Sequence, residues 1–405
     1  MTYQKSAIPA LFIIVLFTIS TVLFKSSTHI HEEEAIATDT ILTDTSEELR
    51  TAIKYDQLIR SEIDSNPFVG LAYSIVYEDQ VLLTKTYGVK KAGSTDSVDE
   101  QTVFRLASVS KGFTGVLACL LEQEGILSLN QRIKEDLPRL TLKDSASTAD
   151  LTIAHTLNHT SGLVPHAYDN LAEAALSLTE IIRRLPEVDI AAKPGEVYGY
   201  QNVVFSLIDT IAYIHTYKEY CDLLYEKLFI PLDMQNASVG KGIFEHENNN
   251  TASPHVFSKG NYVTTRPNLR YYNLVPAAGV NASIRDMSQW LIALLGNCPE
   301  VLDTALLNKI ATPSITTPLK KRYTYHWGHV DEKSYSLGWR IYNYKGMKIV
   351  YHGGYVRGYR SEIAYCPEER VGIAYLQNST GSLASRSVPV FFNIWLEQKQ
   401  LLAEK

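Results

Sequence analysis

With 405 residues, 45% of them hydrophobic and 20% charged, the chain has an ordinary globular composition that excludes long disorder, collagen and coiled coil. At about 150 residues per folding unit, two to three units fit, with enough core to need no disulfide or structural metal. The formal net charge of −6 is not the basic footprint of a nucleic-acid binder, so no nucleic-acid partner is expected.

The first feature is Ala7 to Phe24, eighteen residues without a charge, with Lys5 before and Lys25 after. As a helix it would span about 27 Å, close to the roughly 30 Å hydrocarbon core of a membrane. Two readings stay open for residues 1–25: a cleaved signal peptide or a retained membrane anchor. Ala35-Ile36-Ala37 has the form of a cleavage site but lies eleven residues downstream. No cysteine is near enough for a lipid anchor. Residues 26–45, including the acidic run His31-Glu32-Glu33-Glu34, read as a solvated tether. The folded part, 46–405, is therefore expected outside the cytoplasm, periplasmic or secreted; in the anchor reading, residues 7–24 hold it at the membrane.

Leu49, Ile53, Leu58, Ile59 and Ile63 recur near helical spacing, with Thr45 or Ser46 as N-cap. A hairpin follows, 71–77 and 81–87 around Glu78-Asp79-Gln80. From about 108 to 330 the pattern is mostly helical: Val116, Leu117, Leu120 and Leu121 form one stripe, and Gly125 is placed to end that helix. The Asn-, Gly-, Ser- and Pro-rich stretch 240–275 reads as a surface excursion. Strands return at 336–344, 347–351, 360–365 and 371–377, and 388–402 closes the chain as an amphipathic helix. Strands at both ends with helices between predict one antiparallel sheet joined from the two ends, with a helical lobe over roughly 112–330. Cys119, Cys221, Cys298 and Cys366 are widely spaced, which argues against a disulfide framework or zinc ribbon. A single bridge stays open.

The chain lacks G-x-S-x-G, the nucleophile elbow of α/β-hydrolases, but contains S-x-x-K twice. Ser108-Val109-Ser110-Lys111 opens a helix, so Lys111 shares a face with the Ser108 hydroxyl and the helix N-terminus favours a developing alkoxide. Ser238-Val239-Gly240-Lys241 lies in a loop and is discarded. A serine needs a base, and a lysine acts as one only after burial or a nearby cation strips its proton. A third group is therefore required. Tyr200-Gln201-Asn202 supplies a phenol for proton traffic and an amide to hold an acyl group, although a lone tyrosine among 25 is ordinarily a packing residue. His352-Gly353-Gly354 ends a predicted strand, where glycines let a substrate approach backbone and the next N–H can serve an oxyanion hole.

Taken together, Ser108-x-x-Lys111, Tyr200-x-Asn202 and His352-Gly353-Gly354 resemble the serine β-lactamase-related superfamily, in the branch of class C β-lactamases, their esterase relatives, penicillin-binding proteins and D-amino-acid peptidases. Phe104–Ala107, Leu157–Leu163 and Pro276–Val280 through Asp286, Met287 and Trp290 support the resemblance, which covers about 50–400. It implies an α+β, β-lactamase/transpeptidase-like fold, an antiparallel sheet flanked by helices plus a helical lobe, with the cleft between. It further implies acylation of Ser108, with proton transfer by Lys111 and Tyr200. Asn202, His352, Gly353, Gly354 and Tyr355 would bind substrate, the backbone N–H groups of Ser108 and Tyr355 forming the oxyanion hole.

No metal or organic cofactor is implied. The expected partner is a small-molecule or cell-wall-peptide substrate. One departure matters: class C β-lactamases usually carry Lys-Thr-Gly where this chain has His352-Gly353-Gly354, and a neutral imidazole anchors a carboxylate less well than lysine. Esterase or D-amino-acid peptidase activity is favoured over β-lactam hydrolysis. The alternatives are a penicillin-binding D-Ala-D-Ala carboxypeptidase and a non-catalytic ligand-sensing module. His155-x-x-x-His159 has the spacing of a zinc peptidase motif, but Thr156 stands where that motif needs glutamate. His326-Trp327-Gly328-His329 reads as an aromatic loop at the cleft.

Overall fold

The computed structural model describes residues 46–245, 249–318, 325–328 and 330–403. The apolar run Ala7–Phe24 and the tether lie outside the described residues, as does His329. Among the described residues no helix is long and apolar enough to cross a membrane. The chain divides into two units, Met1–Thr51 and Ala52–Lys405. Of the first, only 46–51 are described, where helix α1 (Glu47–Ser65) begins.

The second unit is organised by an eight-stranded antiparallel sheet. The N-terminal hairpin gives β1 (Gly70–Tyr77) and β2 (Gln80–Gly88). The lobe gives β3 (Phe104–Arg105), β4 (Ser238–Val239), β5 (His255–Ser258), β6 (Asn261–Thr264) and β7 (Val280–Ala282). The C-terminal part adds β8 (Ile315–Thr316), β9 (Glu332–Tyr335), β10 (Arg340–Tyr344), β11 (Met347–Val356), β12 (Tyr359–Cys366) and β13 (Val371–Gln377). The order is β2-β1-β13-β12-β11-β10-β9-β8, so β1 pairs with β13 and the two ends of the chain do share one sheet.

Alternation along β1 explains the layering. Leu71, Tyr73 and Ile75 enter a core completed by Ala52, Tyr55 and Ile59 of α1 and by Phe391, Phe392 and Trp395 of the last helix. Ala72 and Val76 enter the opposite core, with Phe113 and Val116 of α2 (Ser110–Gln123) and Trp290. Strands buried on both faces need apolar residues at nearly every position, and β1 has them. The lobe also contains α3 (Asp169–Glu173), α4 (Val275–Ala278), α5 (Ile284–Leu294) and a small sheet in the order β3-β7-β4.

Helix α2 is pressed onto the loop between β9 and β10. A Cβ on Gly115 would lie 2.1 Å from the Leu337 carbonyl, and one on Gly338 would lie 2.1 Å from the Lys111 carbonyl. Gly338 is also left-handed at φ +79°. This contact breaks the expected strand 336–344: Ser336 N–H donates to Trp339 O, closing a turn, and pairing resumes at Arg340. The 240–275 excursion carries the β5–β6 hairpin. The final helix, α6 (Ser382–Ala403), starts six residues before the expected 388. All four cysteines are free.

Candidate active site

The chain enters α2 through a 3-10 turn, Ala107–Val109. Ala107 adopts φ +47°, left-handed backbone that costs a non-glycine residue about 1–3 kcal/mol and is concentrated at functional sites. One residue on, Ser108 lines a cleft of about 660 Å³ that also takes in Tyr200, Arg340, Gly353, Gly354 and Tyr355. A Cβ on Gly354 would fall 2.1 Å from Leu106 O and 2.2 Å from the Ser361 hydroxyl. Only glycine lets β11 lie this close to the Ser108 turn.

Lys111 is fully buried one helical turn from Ser108. Its Nζ donates to Asn202 Oδ1 at 2.7 Å and to the Ala277 carbonyl at 2.9 Å. It stands 4.8 Å from the centroid of the Tyr200 ring. Desolvation holds the ammonium well below its ordinary range; Asp169 opposes that shift and Arg340 adds to it. Tyr200 and Ser108 line the same cleft; burial pushes the phenol up, while Arg340 and Ser108 pull it back. Ser108 and Tyr200 therefore share the cleft, and the Tyr200 ring lies between Lys111 Nζ, at 4.8 Å, and the Arg340 guanidinium, at 5.5 Å.

Two expected binding residues are placed away from the cleft wall. Asn202 is buried between Lys111 and Asp169: its Nδ2 donates to Asp169 Oδ1 and Oδ2 at 3.1 and 3.0 Å and to Tyr271 OH at 2.7 Å. His352 is also buried, with Nε2 3.1 Å from Tyr335 OH and Nδ1 3.0 Å from Gly353 O. Burial, then Arg340 and Lys111, push its imidazole well below the ordinary range, so it stays neutral. Tyr355 lies at the rim, 59% exposed.

Lys333, Arg340 and Arg360 bring cations to the cleft; Arg340, which sequence reasoning missed, is the one beside Tyr200. Its guanidinium lies 5.5 Å from the Tyr200 ring and 5.7 Å from the Tyr335 ring, and it reaches Tyr198 OH at 3.5 Å. Tyrosines 198, 342, 335 and 200 surround it, and among the described residues no carboxylate forms an ion pair with it, although its charge reaches the Glu362 carboxyl. His166 also lines the cleft, with Nδ1 2.8 Å from Asp169 Oδ2. Neither Asp169 nor Arg340 sits in a recognisable motif.

The other motifs resolve into structural roles. Ser238 lies in β4, where its hydroxyl accepts from Asn281, and Lys241 pairs with Glu245 at 2.8 Å. His155 caps its own short helix by accepting from Thr152 N–H. His159 is buried against Tyr200, with Nδ1 accepting from Gln201 N–H. His326 and Trp327 do line the cleft.

A family model described as Beta-lactamase matches residues 55–389. Among curated proteins, the unguisins hydrolase of Aspergillus campestris is 24% identical over 340 residues, covering 81% of this chain and 62% of its own length. The protein flp of Staphylococcus aureus (strain MRSA252) is 24% identical over 328 residues, covering 80% and 62%. The chain thus spans about three-fifths of the length of these relatives. Among solved structures, the octameric penicillin-binding protein homologue from Pyrococcus abyssi matches with a TM-score of 0.73 at 23% identity, over 84% of this chain and 77% of that one. The D-amino acid amidase from Ochrobactrum anthropi SV3 matches with a TM-score of 0.69 at 19% identity, over 86% and 99%. These likenesses show the β-lactamase/transpeptidase-like α+β fold.

Proposed function

The chain belongs to the Beta-lactamase family of serine hydrolases, and we propose that it cleaves an ester, amide or peptide through an acyl-enzyme on Ser108. The observation that carries this reading is the hydrogen bonding of Lys111. A neutral amine has two N–H groups and one lone pair. Asn202 Oδ1 and Ala277 O, both acceptors, take the two N–H groups. The lone pair is left free, with the ring of Tyr200, which shares the cleft with Ser108, 4.8 Å away.

In acylation Ser108 Oγ bonds to the substrate carbonyl carbon while its proton passes to Lys111 Nζ, directly or through the Tyr200 oxygen. The oxyanion is received by the backbone N–H groups of Ser108 and Tyr355. Collapse breaks the bond to the leaving oxygen or nitrogen, which takes the proton back from the Tyr200–Lys111 pair. Water then attacks the acyl carbon, the same pair accepts its proton, and Ser108 leaves as the restored hydroxyl.

Arg340 narrows the substrate class. Arg340 is half-buried in the cleft wall with no carboxylate in an ion pair with it among the described residues, and its fork matches a carboxylate. This favours a substrate with a carboxylate near the scissile bond, as in a D-amino-acid peptide. His352, neutral and buried off the cleft wall, gives the substrate no second anchor, which puts β-lactam hydrolysis behind ester or peptide cleavage. A penicillin-binding D-Ala-D-Ala carboxypeptidase is the second reading, favoured by the same Arg340 and differing in how fast water reaches the acyl-enzyme. The apolar run Ala7–Phe24 alone supports an extracytoplasmic, membrane-linked location.

Initial rates on a p-nitrophenyl ester, a D-amino-acid dipeptide and a penicillin test this order. The ester or the dipeptide should be turned over faster than the penicillin. A penicillin hydrolysed fastest of the three overturns the assignment.

A further inference from the structure

We infer that Asp169 is a positioning residue that fixes the Asn202 amide with its carbonyl toward Lys111 and thereby aims the Lys111 lone pair at Ser108. The inference rests on the reading of Ser108 and Lys111 as the acylating pair.

Donors and acceptors fix the amide. An ionised carboxylate only accepts, and an amide accepts at oxygen and donates at nitrogen. Asp169 receives one Nδ2 hydrogen of Asn202 across its two oxygens, at 3.1 and 3.0 Å. The other hydrogen goes to Tyr271 OH at 2.7 Å. Burial, with the nearby Asp169 charge, keeps Tyr271 protonated. With both Nδ2 hydrogens taken, only Oδ1 of Asn202 can face Lys111. A flipped amide would set oxygen against the Asp169 carboxylate and NH₂ against the amine, losing hydrogen bonds at both ends.

Asp169 is itself held in place. It is the first residue of α3, and His166 Nδ1 lies 2.8 Å from its Oδ2. The His166 backbone N–H donates to the Tyr200 carbonyl at 2.8 Å, so the 166–169 turn is tied to the Tyr200–Asn202 segment. Asp169 is not part of the cleft wall. It acts through Asn202.

The carboxylate also acts at a distance. The groups facing Lys111 from the surrounding elements are Asp169, Arg340, His159, His352 and Tyr200. Asp169 alone raises the proton affinity of Lys111, whereas Arg340 lowers it. Removing the Asp169 charge therefore moves Lys111 titration down in pH. A purely structural residue would lack that signature.

The test is pre-steady-state acylation by p-nitrophenyl acetate from about pH 5 to 10, on the full chain and its Asp169→Asn and Asp169→Ala variants. Intact mass and peptide mapping locate the acetyl group. Thermal melts check that each variant is folded, and Asp169→Asn, nearly isosteric, covers the case in which Asp169→Ala does not fold. The expected result is a plateau acylation rate lower on the order of 10- to 100-fold, with KM little changed and the acid limb displaced to lower pH. A folded Asp169→Asn variant with the wild-type rate and acid limb overturns the inference, as does a rate loss with an unmoved limb. If wild-type protein takes no acetyl group on Ser108, the reading of the acylating pair fails instead.

Discussion

The chain buries an ionisable side chain at Asp56 and another at Lys111, and it surrounds the two in opposite ways. Asp56, 6% exposed, accepts from Tyr73 OH at 2.5 Å, from Tyr87 OH and from Arg60 Nε at 2.9 Å. Three donors, one of them cationic, answer one carboxylate. Lys111, fully buried, meets two neutral acceptors and a neighbouring guanidinium, and its nearest carboxylate stands behind Asn202. A buried charge that is complemented holds structure together; one that is not gives up its proton and becomes a base.

The comparison breaks first at the reacting atoms. Ser108→Ala should cost at least about 10³-fold in kcat/KM on any substrate that the protein cleaves. Lys111→Met should cost about as much, with a smaller stability loss than Asp56→Ala, because removing the desolvated amine offsets the donors lost to Asn202 Oδ1 and Ala277 O. The same change of thinking at Asp56 predicts the reverse. Asp56→Ala leaves Tyr73 and Tyr87 without their acceptor and should lower stability by about 2–4 kcal/mol, with kcat/KM of the folded protein intact. A Lys111→Met variant that loses as much stability as Asp56→Ala, or an Asp56→Ala variant that melts normally, would erase the contrast.

Arg340→Gln sharpens it. Carboxylate-bearing substrates should lose about 10- to 100-fold in kcat/KM, and a neutral ester markedly less. Arg340 depresses the proton affinity of Lys111, so its removal should move the acid limb of acylation to higher pH, opposite to the Asp169 variants. Equal losses on both substrate types would remove Arg340 from recognition.

The smallest effect concerns Glu362, on the far wall of the same cleft. It is buried, accepts from Tyr351 OH at 2.6 Å and Arg360 Nη2 at 3.1 Å, and burial raises its carboxyl from 4.5 to about 7. Its folded form binds the proton more tightly than its unfolded form. Between about pH 4.5 and about 7 the folded state therefore carries more protons, and stability falls as pH rises through that window. Chemical denaturation across the window should show Glu362→Gln losing about 1–3 kcal/mol less than wild type over that range. Parallel curves would mean that Glu362 does not titrate there.

What could be read from sequence was what is local. Ser108 and Lys111 are one helical turn apart, and the β1–β2 hairpin and β13 carry their pattern within themselves. Tyr200 was legible only because Asn202 stood two residues on. The direction in which Asn202 points was not, since spacing does not say whether an amide faces a cleft or a buried amine. Arg340 and Asp169 follow a glycine turn and an irregular loop, and only tertiary packing brings them to Lys111. The expected strand 336–344 failed for a related reason: its apolar pattern runs on through a turn that exists because Gly338 must clear Lys111.

The central claim is that an uncharged Lys111 activates Ser108. Its most direct test is the intact-mass time course of the full chain and of Lys111→Met with p-nitrophenyl acetate at pH 7, followed by peptide mapping. The account predicts one acetyl group on Ser108 in the wild type and almost none over the same time in the variant. Acetylation of Lys111→Met at the wild-type rate, or an adduct mapping away from Ser108, would contradict it.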